Sequence, residues 1–337
     1  MTEPLPYHSP APALPFPDRR AYVMAAGIIL ILAGAMAGCG VLTTPLALVV
    51  PQQPGQMKIG VGQIVSAMLL YATLSTALVW LGIGAVMKRR WSRPLILILA
   101  THWLLAGIIV LVSSIVMFPL TRDTLAEVPN LPPGFMAGML IAGIALSTVF
   151  LIILPSIILF LVKSDAARLT LAHFDPHERW TDRCPIKLLG LSMTLFLAAI
   201  LFAITATYAM FPLGGVLLTG PAAIAVSLLI GIVLAIAGYW VYRRQIRGWW
   251  LGLAGIVLPS LAMIPSMLIV PVTDIYRHYG MPEEQLEVIA DHATLIRGTS
   301  IGFLVLLCVT FTIYMLRLLP ELRAASTHPR EDNHSPV

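Results

Sequence analysis

Two histidines and a cysteine, His173, His177 and Cys184, stand close enough in the chain to suggest a metal site. Four-residue histidine spacing suits one helical face, but Pro176 lies between the pair and opposes a continuous helix. His177-Glu178 would open a zinc-protease motif, yet Thr181 occupies the place of its second histidine. Glu283-Glu284 would open the diglutamate motif of a membrane prenyl-protein protease, but Val288 stands where that motif needs arginine. No Gly-x-Ser-x-Gly elbow, Walker loop or aspartate pair within an apolar run is present in the sequence. The reading is therefore a non-enzymatic protein with no cofactor and no metal, and an intramembrane enzyme ranks last among the function classes.

His102 is the one ionisable side chain well inside a long apolar run. A charge at the bilayer centre costs on the order of 2.5–3.5 kcal/mol, so an intramembrane histidine needs a reason to be there. A neutral imidazole hydrogen-bonded at a helix interface is one reason, with Trp103 beside it; a substrate or lipid contact is the other. Glu283, Glu287 and Asp291 recur every four residues on a short segment that Pro282 can start as a helix. Leu286, Ile289, Ala293 and Ile296 form its apolar stripe. The acidic face is either solvated or a cation-capturing surface, with His278 or His292 as neighbours; Glu287 and Asp291 are its candidate residues, and like charges at this spacing repel.

The elements that must carry these residues follow from composition. Hydrophobic residues make up 58% of the 337-residue chain, charged ones 11%, and mean hydropathy is +0.89, so the solvent for most of its surface is lipid. About 20 apolar residues cross the hydrocarbon layer as a helix. Eight runs reach that length, near 22–48, 62–87, 95–119, 136–162, 187–212, 221–243, 249–271 and 298–319. Their continuous Leu, Ile, Val and Ala lack the alternation of barrel strands. An all-α, eight-span transmembrane bundle is expected.

Basic residues sort sharply between the connecting segments. Seventeen of the 21 Lys and Arg fall on one side, and only Lys58, Arg122, Arg277 and Arg297 on the other. By the positive-inside rule the first side is cytoplasmic, which places both termini inside a multi-pass cell-membrane protein. Acidic residues divide 9 to 7, as expected of a rule that concerns Lys and Arg. The basic pI reflects this topology, not nucleic-acid binding, and the bilayer is the first partner.

Two four-span halves are expected, 21–162 and 187–319, joined by an inner loop 163–186 and flanked by disordered tails 1–20 and 320–337. The hint is a repeated basic hairpin: an offset of 154 aligns Arg89, Arg90 and Arg93 with Arg243, Arg244 and Arg247. Four spans per half preserve orientation, so the halves would be related by rotation about the membrane normal. Cys39, Cys184 and Cys308 offer no disulfide framework. Met36-Ala37-Gly38-Cys39 approximates a lipobox, but the apolar run continues through it.

The inner loop holds the most distinctive run of the chain, Trp180-Thr181-Asp182-Arg183-Cys184-Pro185. Trp180 suits an interfacial anchor, Asp182 and Arg183 can pair locally, and Pro185 can start span five. Together with the basic-Trp-x-Arg hairpin at 90–93, this run resembles uncharacterised bacterial polytopic membrane proteins. The resemblance implies a multi-span membrane fold and brings no activity with it. The leading function is a membrane-organising or partner-binding protein that docks a cytoplasmic protein through loop 163–186. A solute or lipid permease is the alternative. It loses weight because Pro155-Ser156 in span four and Pro259-Ser260 and Pro265-Ser266 in span seven break helices at positions that do not match between halves.

Overall fold

The computed structural model describes residues 16–49, 60–116 and 135–327. Eight helices in it are long and apolar enough to cross a membrane: Arg20–Leu48, Val61–Val86, Ser92–Val116, Ile141–Val162, Ile186–Tyr208, Pro221–Tyr242, Ile246–Ile269 and Ala293–Ala324, called spans one to eight. Cys39 lies within the helix of span one, Arg20–Thr43, which ends in a 3-10 turn at Thr44–Leu48.

Each set of four spans forms a ring. Span one packs on two and four, and span three on the same two; span five packs on six and eight, and so does span seven. Small residues allow the closest contacts, because lipid gives apolar helices no hydrophobic drive to associate and leaves van der Waals packing to do it. A Cβ added at Gly82 of span two would stand 2.7 Å from the carbonyl oxygen of Gly27 in span one, and one at Gly238 of span six would stand 3.1 Å from that of Ser192 in span five.

The buried positions of the two rings share a register. Val23, Ala26, Gly27, Leu30 and Gly34 of span one fall on buried Leu188, Leu191, Ser192, Leu195 and Ala199 of span five at an offset of 165. Leu78, Leu81, Gly82 and Ala85 of span two fall on buried Leu234, Ala237, Gly238 and Val241 of span six at 156. Pro155, Ile158 and Val162 fall on Met315, Leu318 and Leu322 at 160. The two basic turns repeat each other bond for bond. Arg89 N–H donates to the Gly84 carbonyl and Ser92 N–H to that of Arg89; at 156 residues further on, Gln245 N–H donates to Trp240 and Gly248 N–H to Gln245. Lys88 and Arg244 occupy the same left-handed position, with φ 56° and 60°. The offset of 154 obtained by matching arginines is thus two residues from the backbone register, because the turn is defined by its left-handed residue and not by its charges.

Helix breaks explain two local departures. The ring of Pro155 would collide with the carbonyl of Leu151 four residues earlier. Span four widens there into a π turn, Val149–Ile153, and the Leu151 carbonyl is pressed against Gly107 of span three, where only glycine fits. Span five stops short of the expected residue 212. Its helix ends at Thr205, and an antiparallel hairpin follows, β1 Met210–Leu213 and β2 Val216–Thr219, turning on Gly214 and Gly215 at positive φ. The hairpin tip docks on span seven beside its prolines: Gly214 N–H donates to the Ala262 carbonyl at 2.8 Å and Gly215 N–H to Ser266 Oγ at 2.9 Å. At the other end of the chain, helix continues through Pro320 to Thr327, so residues 320–327 are helical and not the expected disordered tail.

Candidate functional site

The face that carries the two basic turns also gathers the inner-loop residues. Ser164 caps a helix over Asp165–Phe174 by accepting a hydrogen bond from Ala167 N–H at 3.2 Å, and the helix ends before Pro176. A 3-10 turn at Trp180–Arg183 then leads into span five. Loop 163–186 is therefore folded and tied down at several points.

Two arginines and two aspartates hold it reciprocally. Arg90 gives its backbone N–H to Asp175 at 3.2 Å and its guanidinium to Asp182 at 3.2 Å. Arg179 does the reverse, giving its backbone N–H to Asp182 at 3.0 Å and its guanidinium to Asp175 at 3.0 Å. Asp175 is only 4% exposed. Burial alone would raise its carboxyl pKa, but the hydrogen bonds from Arg179 and from Arg90 N–H, with the charges of Arg179 and Arg89, hold it below its ordinary value. Asp182 thus pairs with Arg90 of the first basic turn and not with Arg183, because the 3-10 turn aims its carboxylate back at the N–H of Arg179.

The second basic turn holds the other side of the loop. Arg244 donates to the Arg183 carbonyl, and Tyr242 Oη donates to the Trp180 carbonyl at 3.1 Å while its ring meets the Trp180 indole edge-on. Lys88 sits over the Phe174 ring at 4.4 Å. Arg93 caps the end of span four, donating to the Val162 carbonyl at 3.1 Å and the Lys163 carbonyl at 3.0 Å. Burial pushes the Cys184 thiol up to about 11 despite the nearby Arg244, so the thiol stays protonated at neutral pH. What faces solvent is an aromatic and basic surface: Trp180 is 38% exposed, with Phe174, Arg183, Arg243 and Arg247 also exposed.

The other sequence candidates lie elsewhere. His102 joins span three to span five, its Nδ1 2.7 Å from the Ile98 carbonyl and its Nε2 2.8 Å from Thr194 Oγ1. Glu287 and Asp291 lie exposed on the helix Glu283–Asp291, on the opposite face of the molecule. Leu286 and Ile289 of the expected apolar stripe are buried against Val272, but the helix ends at Asp291, so Ala293 and Ile296 belong to the helix of span eight and join the same cluster from there. Glu283 is paired with Arg277 at 3.1 Å, and the hydrogen bond lowers the carboxyl pKa and raises the guanidinium pKa. The expected acidic trio is thereby reduced to two. Among the described residues no three His, Cys, Asp or Glu side chains come together as ion ligands.

One site was not foreseen. A cavity of about 160 Å³ opens on that opposite face, lined by Gln63, Thr207, Tyr208, His278 and Tyr279. Gln63 Nε2 donates to the Tyr279 carbonyl at 2.9 Å, and burial raises the Tyr279 phenol pKa, as do Tyr208 and Tyr276. No sequence pattern marked it, since its residues come from three separate segments. Comparison with known protein families, curated proteins and solved structures finds no match.

Proposed function

We propose that this chain is a multi-pass membrane protein with both termini cytoplasmic, built from two tandem four-span halves, whose folded inner loop docks an acidic protein partner. The observation that carries this is the reciprocal Arg90–Asp175–Arg179–Asp182 clamp, which fixes loop 163–186 between the basic turns and leaves aromatic and guanidinium groups outward. Trp and Arg on a rigid support are the side chains that dominate binding surfaces. The equal burial registers of the two rings favour tandem halves, and the basic character of the docking face favours its cytoplasmic placement.

Site-specific photo-crosslinking in cells tests the docking surface. A photoreactive residue at Trp180 or Arg183 is expected to give discrete protein adducts, and one at Glu287 to give none of the same mass. Asp182→Ala should unclamp the loop, expose Cys184 to thiol reagents and abolish the adducts. Adducts with lipid alone, in a protein whose Cys184 remains protected, would make Trp180 a membrane anchor and defeat the reading. The permease reading draws on the opposite cavity; Thr207→Trp should block uptake of a small polar solute if that cavity is an entrance.

A further inference from the structure

Resting on the tandem halves proposed above, we propose that copies of this protein assemble head to tail in the membrane, with span one of one copy docked against spans six and seven of the next. Within the chain the two rings meet where span five touches spans two and three. His102 reaches Thr194 at 2.8 Å, Ser66 Oγ donates to the Ile204 carbonyl at 3.3 Å, and a Cβ on Gly190 would meet Ile98 at 4.0 Å.

The repeat registers carry each contact onto a second pair of surfaces. The offset of 156 takes Ser66, Ile98 and His102 to Ala222, Ala254 and Leu258, and the offset of 165 takes Gly190, Thr194 and Ile204 to Ala25, Ile29 and Cys39. A closed two-fold between the halves would make both contacts. Among the described residues no comparable contact joins span one to span six or seven, so the second contact is not made within the chain.

Burial follows this difference along one helical face. Spans one and five agree where they face spans two and six, yet Leu189, Gly190 and Ile204 are buried whereas their counterparts Met24 and Ala25 are half-buried and Cys39 is exposed. Met193 is half-buried and its counterpart Ile28 is 50% exposed; across the joint Leu258, the counterpart of His102, is 64% exposed. Ala25, Ile28, Ile29 and Cys39 thus form a face shaped like one that the chain already docks. The membrane restricts the operator to rotation about its normal, so a repeated heterologous contact makes a ring or an open row. Ala25 opposite Ala254 supplies the close approach that helix association in lipid requires.

Thiol crosslinking in native membranes tests this. Cys39 paired with Ala222→Cys, and Ile29→Cys paired with Leu258→Cys in a Cys39→Ser chain, are each treated with a short bis-thiol reagent after Cys184→Ser and Cys308→Ser remove the other thiols. The 36.5 kDa chain is expected to shift to multiples of that mass, while a control thiol at Phe160, 77% exposed on span four, leaves it unshifted. His102→Cys with Thr194→Cys reports the internal contact by a crosslinked peptide within one chain. If the internal pair links and both outer pairs stay at 36.5 kDa, the assembly is overturned and the tandem halves stand. If the internal pair fails too, the arrangement of the halves falls with it.

Discussion

A histidine with partners on both ring nitrogens has none left for a substrate. A carbonyl can only accept, so Nδ1 of His102 donates to Ile98, while Nε2 lies 2.8 Å from the Thr194 hydroxyl, which itself donates to the Gly190 carbonyl at 2.8 Å. His102 thus joins spans three and five in this structure, a contact that accords with the packing reading among those the sequence leaves open. Interhelical hydrogen bonds in membranes average about 0.6 kcal/mol and reach about 1.7 kcal/mol. A double-mutant cycle of His102→Ala and Thr194→Val, read by thermal unfolding in detergent, should give a coupling within that range; additive losses would show that the two side chains do not interact. Asp175 behaves differently because it is ionised and buried. Its carboxyl pKa is depressed from 3.8, so its stabilising contribution is complete above that value and is lost as pH falls through the lower folded value. Protection from hydrogen exchange over residues 175–184, taken relative to the intrinsic amide rate at each pH, should hold from neutral pH down to about 5 and fall only in stronger acid. Asp175→Asn should exchange quickly at every pH, with a loss of about 1–3 kcal/mol from leaving Arg179 and Arg90 N–H short of an acceptor. The sequence displayed Asp182 and Arg183 as neighbours, but which arginine Asp182 meets depends on a turn brought alongside from span two, and nothing local records that.

At the level of elements, the helix pairs one–two and five–six depend on glycine at the same repeat position, with different tolerances. Gly82→Leu would drive a side chain into a backbone carbonyl that cannot yield, and Gly238→Leu meets a looser contact, 3.1 Å against 2.7 Å. Overpacking costs about 1–3 kcal/mol, so both substitutions should lower the unfolding midpoint, Gly82→Leu more. Equal effects would mean that the pairs are not packed alike. Span existence was legible from apolar length, and the helix Glu283–Asp291 from its stripe, because both signals are local. The expected end of span five at 212 overshoots because the residues after Thr205 stay largely apolar into the first strand of the hairpin. The sign of the hairpin was its Gly214-Gly215 pair between apolar residues, a turn signature that hydropathy hides. The prolines of span seven read as breaks in the sequence, but the helix runs unbroken over Ile246–Ile269 through Pro259 and Pro265, and nothing in the sequence shows that a hairpin tip would use the Ala262 carbonyl and Ser266 hydroxyl beside them.

For the whole molecule, the polar groups that organise the chain lie at its two ends and at the joint between rings, so orientation in the bilayer decides which end meets which compartment. The proposed repeat is legible in the sequence only as a basic turn. Its full extent rests on burial at three separate offsets, which a single alignment offset cannot represent, since the connections between spans differ in length. The proposed orientation rests on charge. In the sequence, 17 of the 21 Lys and Arg fall in the segments on the side of the basic turns, the bias that the positive-inside rule assigns to the cytoplasm. Compartment reporters fused after Arg90, Arg179 and Arg244 should therefore read cytoplasmic, and those after Gly60, Gly215 and Glu284 should read outer. Replacing Lys88, Arg89 and Arg90 with glutamine removes three of the four charges of one turn and leaves its counterpart at Arg243, Arg244 and Arg247 intact. Reporters in the first half should then become mixed while those after Gly215 and Glu284 hold, since four spans per half make each half an orientable unit. A reversal of every reporter together would show instead that the first turn alone directs all eight spans.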